Sequence, residues 1–207
     1  NVTTTTLDSA TNTGDFSSIT IDSFGNPNIS YYENGTLFLI FCADPSCSSF
    51  GGKPVGFTTN NEGKFTSITL GADGLPIISY IDDTNDDLKV AHCIDVSCSS
   101  EDVQVLGSPS TLVSGGTSIT IGPDGLPNIS YYDSTNHRLM FAHCHDMSCA
   151  TGSTYSILDS SYNVGNRSSI TIGIDGFPII SYRDDLNGDL KVIKCGNSLC
   201  IPNWRRR

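Results

Sequence analysis

Four stretches of this chain repeat one another. The first reads SSITIDSFGNPNISYYENGTLFLIFC and ends at Cys42, and its three copies end at Cys93, Cys144 and Cys195. Each of these cysteines follows the previous one by 51 residues, and so do the partners Cys47, Cys98, Cys149 and Cys200. The glycines Gly25, Gly74, Gly125 and Gly176 step by 49, 51 and 51, because a shorter turn at Glu33-Asn34-Gly35-Thr36 stands in the first copy. A fixed period of this length restricts the chain to stacked or radially arranged units, each too small to bury its own apolar face alone.

Each unit reads as strands. Ser18 to Ile21 alternates polar and apolar residues, as a half-buried strand does. Asp73-Gly74, Asp124-Gly125 and Asp175-Gly176 supply hairpin turns, since glycine takes a positive φ without strain. Pro27, Pro76, Pro127 and Pro178 follow two residues later and suit the first residue of a strand. A second strand carries Ile-Ser-Tyr in every copy. A third carries Leu37, Leu88, Leu139 or Leu190 and runs to the first cysteine. A fourth, less regular strand follows the second cysteine, as at Val103–Leu106 and Thr154–Leu158.

Four short strands per repeat predict an all-β chain. The architecture expected is a single four-bladed β-propeller with about 51 residues per blade. The blades fall at about 17–59, 66–108, 117–160 and 168–204. The last copy lacks a fourth strand, and the N-terminus offers a spare one. Leu7-Asp8-Ser9 matches Leu158-Asp159-Ser160, and Leu7 precedes Ile19 by 12 residues as Leu158 precedes Ile170. Residues 3–8 are therefore expected to be the outer strand of the last blade, in the same chain or in a neighbouring copy; the sequence leaves both open.

Each C-x4-C pair stands alone in its own repeat, whereas a zinc site needs four converging ligands. Four local disulfides are expected, Cys42–Cys47, Cys93–Cys98, Cys144–Cys149 and Cys195–Cys200. Loop-closure entropy gives each six-residue loop about 2 kcal/mol. Disulfides imply an oxidising compartment, hence a secreted or cell-surface protein. Asn1 follows no leader pattern and is read as a processed N-terminus. Of five N-x-S/T sequons, Asn34 in a turn and Asn166 in a loop are the expected glycan sites.

Composition excludes other classes. No apolar run approaches the ~20 residues of a helical membrane span, so no membrane insertion is expected. With 22 acidic residues against 11 basic, net −11, a nucleic-acid partner is excluded, because phosphate calls for a basic patch.

The repeat resembles a family of secreted and surface propeller repeats of bacteria and archaea, on the residues Ser118-Ile119, Gly125, Pro127, Ile129-Ser130-Tyr131-Tyr132-Asp133, Asn136 and Leu139. Leu88-Lys89-Val90-Ala91 and Leu190-Lys191-Val192 carry the end of that pattern. The resemblance covers all four copies. It implies a propeller and an extracellular setting, and no shared activity. In blade number the chain is also similar to hemopexin domains, whose motif it lacks.

The candidate chemistry is sparse. His143, Cys144, His145 and Cys149 look like a metal cluster, but His143 aligns with Phe41, His92 and Lys194, which marks strand surface. No metal site and no cofactor are assigned. A structural ion remains open in the Asp-rich turns (Asp82, Asp83, Asp86, Asp87, Asp133, Asp184, Asp185, Asp189) or in a central channel lined by the Ser-Ile-Thr strands. Arginines share no repeat position and no Ser/His/Asp set stands out, so the expectation is no enzyme. Tyr31, Tyr80, Tyr131 and Tyr182 recur at one position and are read as core. Tyr32, Tyr132 and Arg183 share the next position, where an aromatic side chain turned outward would stack on a sugar. Thr3, Thr5, Leu7, Trp204 and Arg205 are assigned to assembly.

The function expected from these residues is a non-catalytic extracellular binding or adhesion module for glycans. A self-assembling subunit of a filament or surface layer is the alternative, and a glycan-active hydrolase comes third. Glycans or copies of the chain itself are the partners implied.

Overall fold

The computed structural model describes residues 2, 4–56, 61–107 and 113–201. Within them lie fifteen strands in four antiparallel sheets, and no helix. The first sheet holds β1 (Asp15–Ile21), β2 (Pro27–Glu33), β3 (Thr36–Cys42) and β4 (Phe50–Val55). The second holds β5 (Glu62–Leu70), β6 (Pro76–Asp82), β7 (Asp87–Cys93) and β8 (Glu101–Leu106). The third holds β9 (Val113–Ile121), β10 (Pro127–Asp133), β11 (Arg138–Cys144) and β12 (Ser153–Asp159). The fourth has three strands, β13 (Val164–Ile172), β14 (Pro178–Asp184) and β15 (Asp189–Lys194). Every strand pairs with its neighbour in sequence.

The hairpins close as their residues dictate. Gly74 N–H donates to the Gly71 carbonyl and Gly71 N–H to the Leu75 carbonyl, with Gly74 at φ +79°. This is the three-residue hairpin loop that demands a left-handed last residue. At the far end of each strand pair an aspartate holds the next turn. Asp82 Oδ1 accepts from the backbone N–H of Thr84 and Asn85, and Oδ2 from the Asn85 amide; Asp133 and Asp184 repeat the arrangement. These turn carboxylates thus serve the backbone of their own turns.

All four local disulfides form as the spacing predicts. Each loop organises itself around an acid or amide at its start. Asp95 accepts from the backbone and hydroxyl of both Ser97 and Ser99, and Asn197 takes that place in the fourth copy.

The sheets stack face to face, and each junction repeats the same contacts. The buried hydroxyl pairs are Ser30–Thr66, Ser79–Thr117 and Ser130–Ser168. Ser18, Ser67 and Ser118 each accept the backbone N–H of Ile68, Ile119 and Ile170 in the following sheet. These inner-strand serine hydroxyls thus each take part in the contact with the neighbouring sheet. Glu62, Val113 and Val164 donate backbone N–H to Gly35, Asp86 and His137 of the preceding sheet. Gly63 and Gly165 lie against the backbones of Leu37 and Leu139, where a Cβ would come within 2.6 Å of the leucine Cα. The bulges that bring those glycines inward extend the first strands beyond the alternating segment.

Sandwiching explains burial. Every residue of β6 and of β10 is buried, because both faces are covered. In β14 buried residues alternate with less buried ones, and β15 has no buried residue, because one face of the fourth sheet is bare. The four sheets form a row in which the first and fourth do not meet as the others do.

The N-terminal segment departs from its expectation. Its described residues up to Ala10 form no strand, and among the described residues no strand pairs with the outer edge of β15. Leu7 instead packs on the first sheet beside Tyr31, Ile40 and the Cys42–Cys47 bridge. A strand needs an open edge to pair with, and the β15 edge belongs to the sheet at the other end of the row.

Candidate functional site

The first sheet breaks the repeat, and the break builds a groove. In the second, third and fourth sheets the hairpin aspartate pairs with a basic residue on the third strand: Asp73 with His92, Asp124 with His143 and Asp175 with Lys194. In the first sheet Phe24 stands where those aspartates stand and Phe41 where the bases stand. A charged pair has become two aromatic rings. Opposite Phe41 in the ladder lies Gly51, and a Cβ there would meet the Phe41 ring at 2.3 Å. The glycine lets the ring lie across β4.

Phe24 is 81% exposed. Phe24 and Phe41 share a groove of about 250 Å3 with Asp22, Asn26, Asn28 and Val96 at the edge of the first and second sheets. Asp22 Oδ1 accepts from the backbone N–H of Phe24 and Asn26, at 2.9 and 2.8 Å. Among the described residues Asp22 has no ion pair. The groove therefore offers aromatic carbon beside a carboxylate and two amides. Ring faces of this kind can cover the C–H groups of a ligand while polar side chains meet its hydroxyls.

A second irregularity lies at the other end of the same sheet. Asp82, Asp133 and Asp184 each have a cation: Lys89, Arg138 and Lys191. Glu33 aligns with these acids, but Phe38 stands where Lys89 and Lys191 stand. Glu33 instead neighbours Asp8. Burial pushes the Glu33 carboxyl up, and the Asp8 charge adds to it. The Ala10 N–H and then the Tyr31 hydroxyl hold Asp8 down. Asp8 and Tyr31 line a cleft of about 310 Å3 with Thr13 and Ser17. Two carboxyls pushed apart in this way can divide acid and base roles.

The residues singled out from sequence are spread differently. Tyr132 is buried, with its hydroxyl between His137 Nδ1 and Asn163 Oδ1, so it is not the outward sugar platform expected. In a strand packed on both faces neither side is outward. Tyr32 is half-buried and donates to Asn61 Oδ1 of the second sheet. Arg183 is exposed and pairs with Asp185. These three lie in different sheets and do not converge. The recurrent tyrosines are core, as read.

Asn34 is an exposed turn residue whose amide donates to the Thr11 carbonyl. Asn166 is not in a loop: it lies in β13, and its amide packs where a Gly115 Cβ would be, at 2.5 Å. His143 is buried between Asn128 and Asp124. Among the described residues no group of three His, Cys, Asp or Glu converges as for a metal. Of the assembly residues, Thr5 and Leu7 border the Asp8 cleft, while Thr3, Trp204 and Arg205 lie outside the described residues.

No family model matches the sequence, and no curated protein matches it. Solved structures do. An endo-arabinase from Bacteroides thetaiotaomicron aligns with 87% of this chain and 74% of its own, at 14% identity and a TM-score of 0.54. An α-L-arabinofuranosidase from Lactobacillus brevis aligns with 85% of this chain and 70% of its own, at 11% identity and a TM-score of 0.56. The Dos1 propeller aligns with 86% of this chain and 46% of its own, at 12% identity and a TM-score of 0.52. The likeness is one of fold, and the fold is of the propeller type. It corrects the expectation that an enzyme is excluded, because glycosidases are among the proteins built on this fold.

Proposed function

We propose that this chain is a disulfide-clamped extracellular propeller of four blades that handles glycans, with the Phe24–Phe41 groove as its sugar site. The carrying observation is the broken symmetry of the first sheet. Three sheets keep an acid–base pair at this place, and one replaces it with two phenylalanines beside Asp22, Asn26 and Asn28. The glycosidases among the similar folds support a glycan as ligand. The four disulfides support an oxidising, extracellular setting. Membership of the secreted propeller repeats rests on the sequence pattern.

The test is a glycan array that includes arabinan and galactan fragments, run with the wild type, Phe24→Ala and Phe41→His. Phe41→His restores the residue that the second and third sheets carry. Binding by the wild type and a roughly tenfold loss in either variant is expected, the loss of about 1.4 kcal/mol of stacking. Failure of the wild type to bind any glycan, or equal binding by all three proteins, overturns the reading.

The Asp8–Glu33 pair favours a second reading, hydrolysis of the bound glycan. Burial and the Asp8 charge push Glu33 up, while the Ala10 N–H and the Tyr31 hydroxyl hold Asp8 down, and an acid set apart from a base in this way is a pattern that acid–base catalysis uses. Release of reducing sugar by the wild type and its loss in Glu33→Gln, with array binding retained, is the expected result. Absence of turnover on every glycan bound in the array rejects this reading and leaves the binding reading standing.

A further inference from the structure

The two ends of the row of sheets carry the two halves of a fourth junction. On the first sheet, Ile19 aligns with Ile68, Ile119 and Ile170, which are buried against the preceding sheet; Ile19 is 61% exposed. On the fourth sheet, Leu190 and Val192 align with Leu37, Leu88 and Leu139 and with Leu39, Val90 and Phe141, all fully buried against the following sheet. Leu190 is 85% exposed and Val192 67%.

The polar and glycine positions agree with the apolar ones. Ser181 aligns with Ser30, Ser79 and Ser130, and Ser17 with their partners Thr66, Thr117 and Ser168. Ser169 aligns with the serines that accept the next sheet's isoleucine N–H, and Ile19 N–H is the donor left over. Gly14 aligns with Gly63 and Gly165, which lie on Leu37 and Leu139. Nothing lies within 4 Å of a Gly14 Cβ, and Leu190 has no glycine against it as Leu37 and Leu139 have. The isoleucine, the leucine, the hydroxyl pair and the serine acceptor of the three intact junctions, and the glycine of two of them, are present once more, split between the ends.

We propose that the fourth-sheet end of one copy docks on the first-sheet end of a second copy, forming a head-to-tail contact that repeats the internal junctions. The occupant is a second copy because the three intact junctions share one set of contacts and leave the ends of the row apart. Within one chain the ends meet only if the junctions between the sheets shift, whereas docking of a neighbouring copy asks for no such shift. The contact also supplies the fourth sheet's missing strand. Asp8 accepts from Tyr31, and Asp159 at the end of β12 accepts from Tyr182, 23 residues later in both cases. Leu7 and Asp8 thus already sit where Leu158 and Asp159 of a preceding sheet's outer strand sit, and in the assembly that sheet is the neighbour's fourth. A contact between unlike surfaces propagates into a ring or a filament.

The test is sedimentation from 1 to 100 µM, without reductant, of the wild type, Ile19→Asp, Leu190→Asp and an equimolar mixture of the two variants. Both sites are exposed in the single copy, and circular dichroism checks that the variants fold. The proposal expects wild-type mass to rise with concentration and each variant alone to stay at 22.1 kDa. The mixture is expected to give a species of twice that mass and no larger. It joins the intact fourth-sheet end of Ile19→Asp to the intact first-sheet end of Leu190→Asp. A wild type that stays monomeric throughout overturns the proposal. If both variants then also melt well below the wild type, the ends close on each other within one chain. Wild-type assembly without pairing in the mixture overturns it as well, and assigns the contact to other surfaces.

Discussion

Substituting Gly165 by alanine probes what holds one sheet against the next. Gly165 has φ +107°, and a Cβ there would lie 2.6 Å from Leu139 Cα, 2.7 Å from its Cβ and 2.8 Å from its N. Two costs follow. The backbone conformation costs an ordinary residue about 1–2 kcal/mol. The clash is with backbone, which cannot rotate away, so the junction must open, at about 1–3 kcal/mol. The sum is about 2–5 kcal/mol, or about 4–20 °C in melting temperature for a domain of this size. Gly74→Ala is the control: its φ is +79° and nothing lies within 4 Å of the added methyl, so it carries the backbone cost alone, about 1–2 kcal/mol. Thermal and urea unfolding of both variants, with disulfides intact, gives the comparison. Equal destabilisation by the two substitutions would refute the claim that close backbone approach at Leu139 holds the third and fourth sheets together.

Three further outcomes are expected. Lys89 lies between Glu62 and Asp82 at 2.7 and 2.8 Å, all three nearly inaccessible; burial pulls its ammonium down, but the bonds to Asp82 and Glu62 outweigh this and hold it up. Lys89→Met leaves two buried carboxylates facing each other and should cost about 3–5 kcal/mol in urea unfolding; a change under ~1 kcal/mol would contradict the buried network. Asp184 is held down to about 2 by the Asn187 amide and then Lys191, and hydrogen bonds to Ser97 and Ser99 hold Asp95 lower still. Depressed carboxylates stabilise the fold above the unfolded value near 4 and cease to as pH falls through the folded values, so urea midpoints should drop between about pH 4 and pH 2, and a flat profile there argues against these bonds. Reducing the four disulfides should lower stability by about 2 kcal/mol per bridge, read as a fall in melting temperature with a phosphine reductant; no fall means that the loops are held by Asp44, Asp95, Asp146 and Asn197 alone.

What the sequence reveals is what depends on neighbours along the chain. Gly74 and Pro76 mark the hairpin because one needs a positive φ and the other has no N–H to give to the ladder. Cysteines five residues apart bridge because a short loop brings them together. Errors arise where a second sheet decides. Tyr132 alternates with Tyr131 and so reads as outward, but both faces of β10 are covered. Asn166 precedes the alternating segment and so reads as loop, but Gly165 and Arg167, both at positive φ, carry the strand four residues earlier through a bulge. Leu7 and Asp8 do match Leu158 and Asp159 in what they touch, since both aspartates bind the repeated tyrosine. Whether they pair as a strand depends on where the β15 edge lies, which the segment's own residues do not encode. The groove left a signal in the repeats themselves. Aspartate at 73, 124 and 175 accompanies His92, His143 and Lys194, and both columns turn to phenylalanine together in the first copy.

The most direct measurement of the glycan reading is a crystal structure of the protein with the tightest oligosaccharide from the array. A sugar ring stacked on Phe24 or Phe41, with hydroxyls bonded to Asp22, Asn26 or Asn28, is the expected result. Sugar bound only at a site outside this groove, with Phe24 and Phe41 bare, would contradict it.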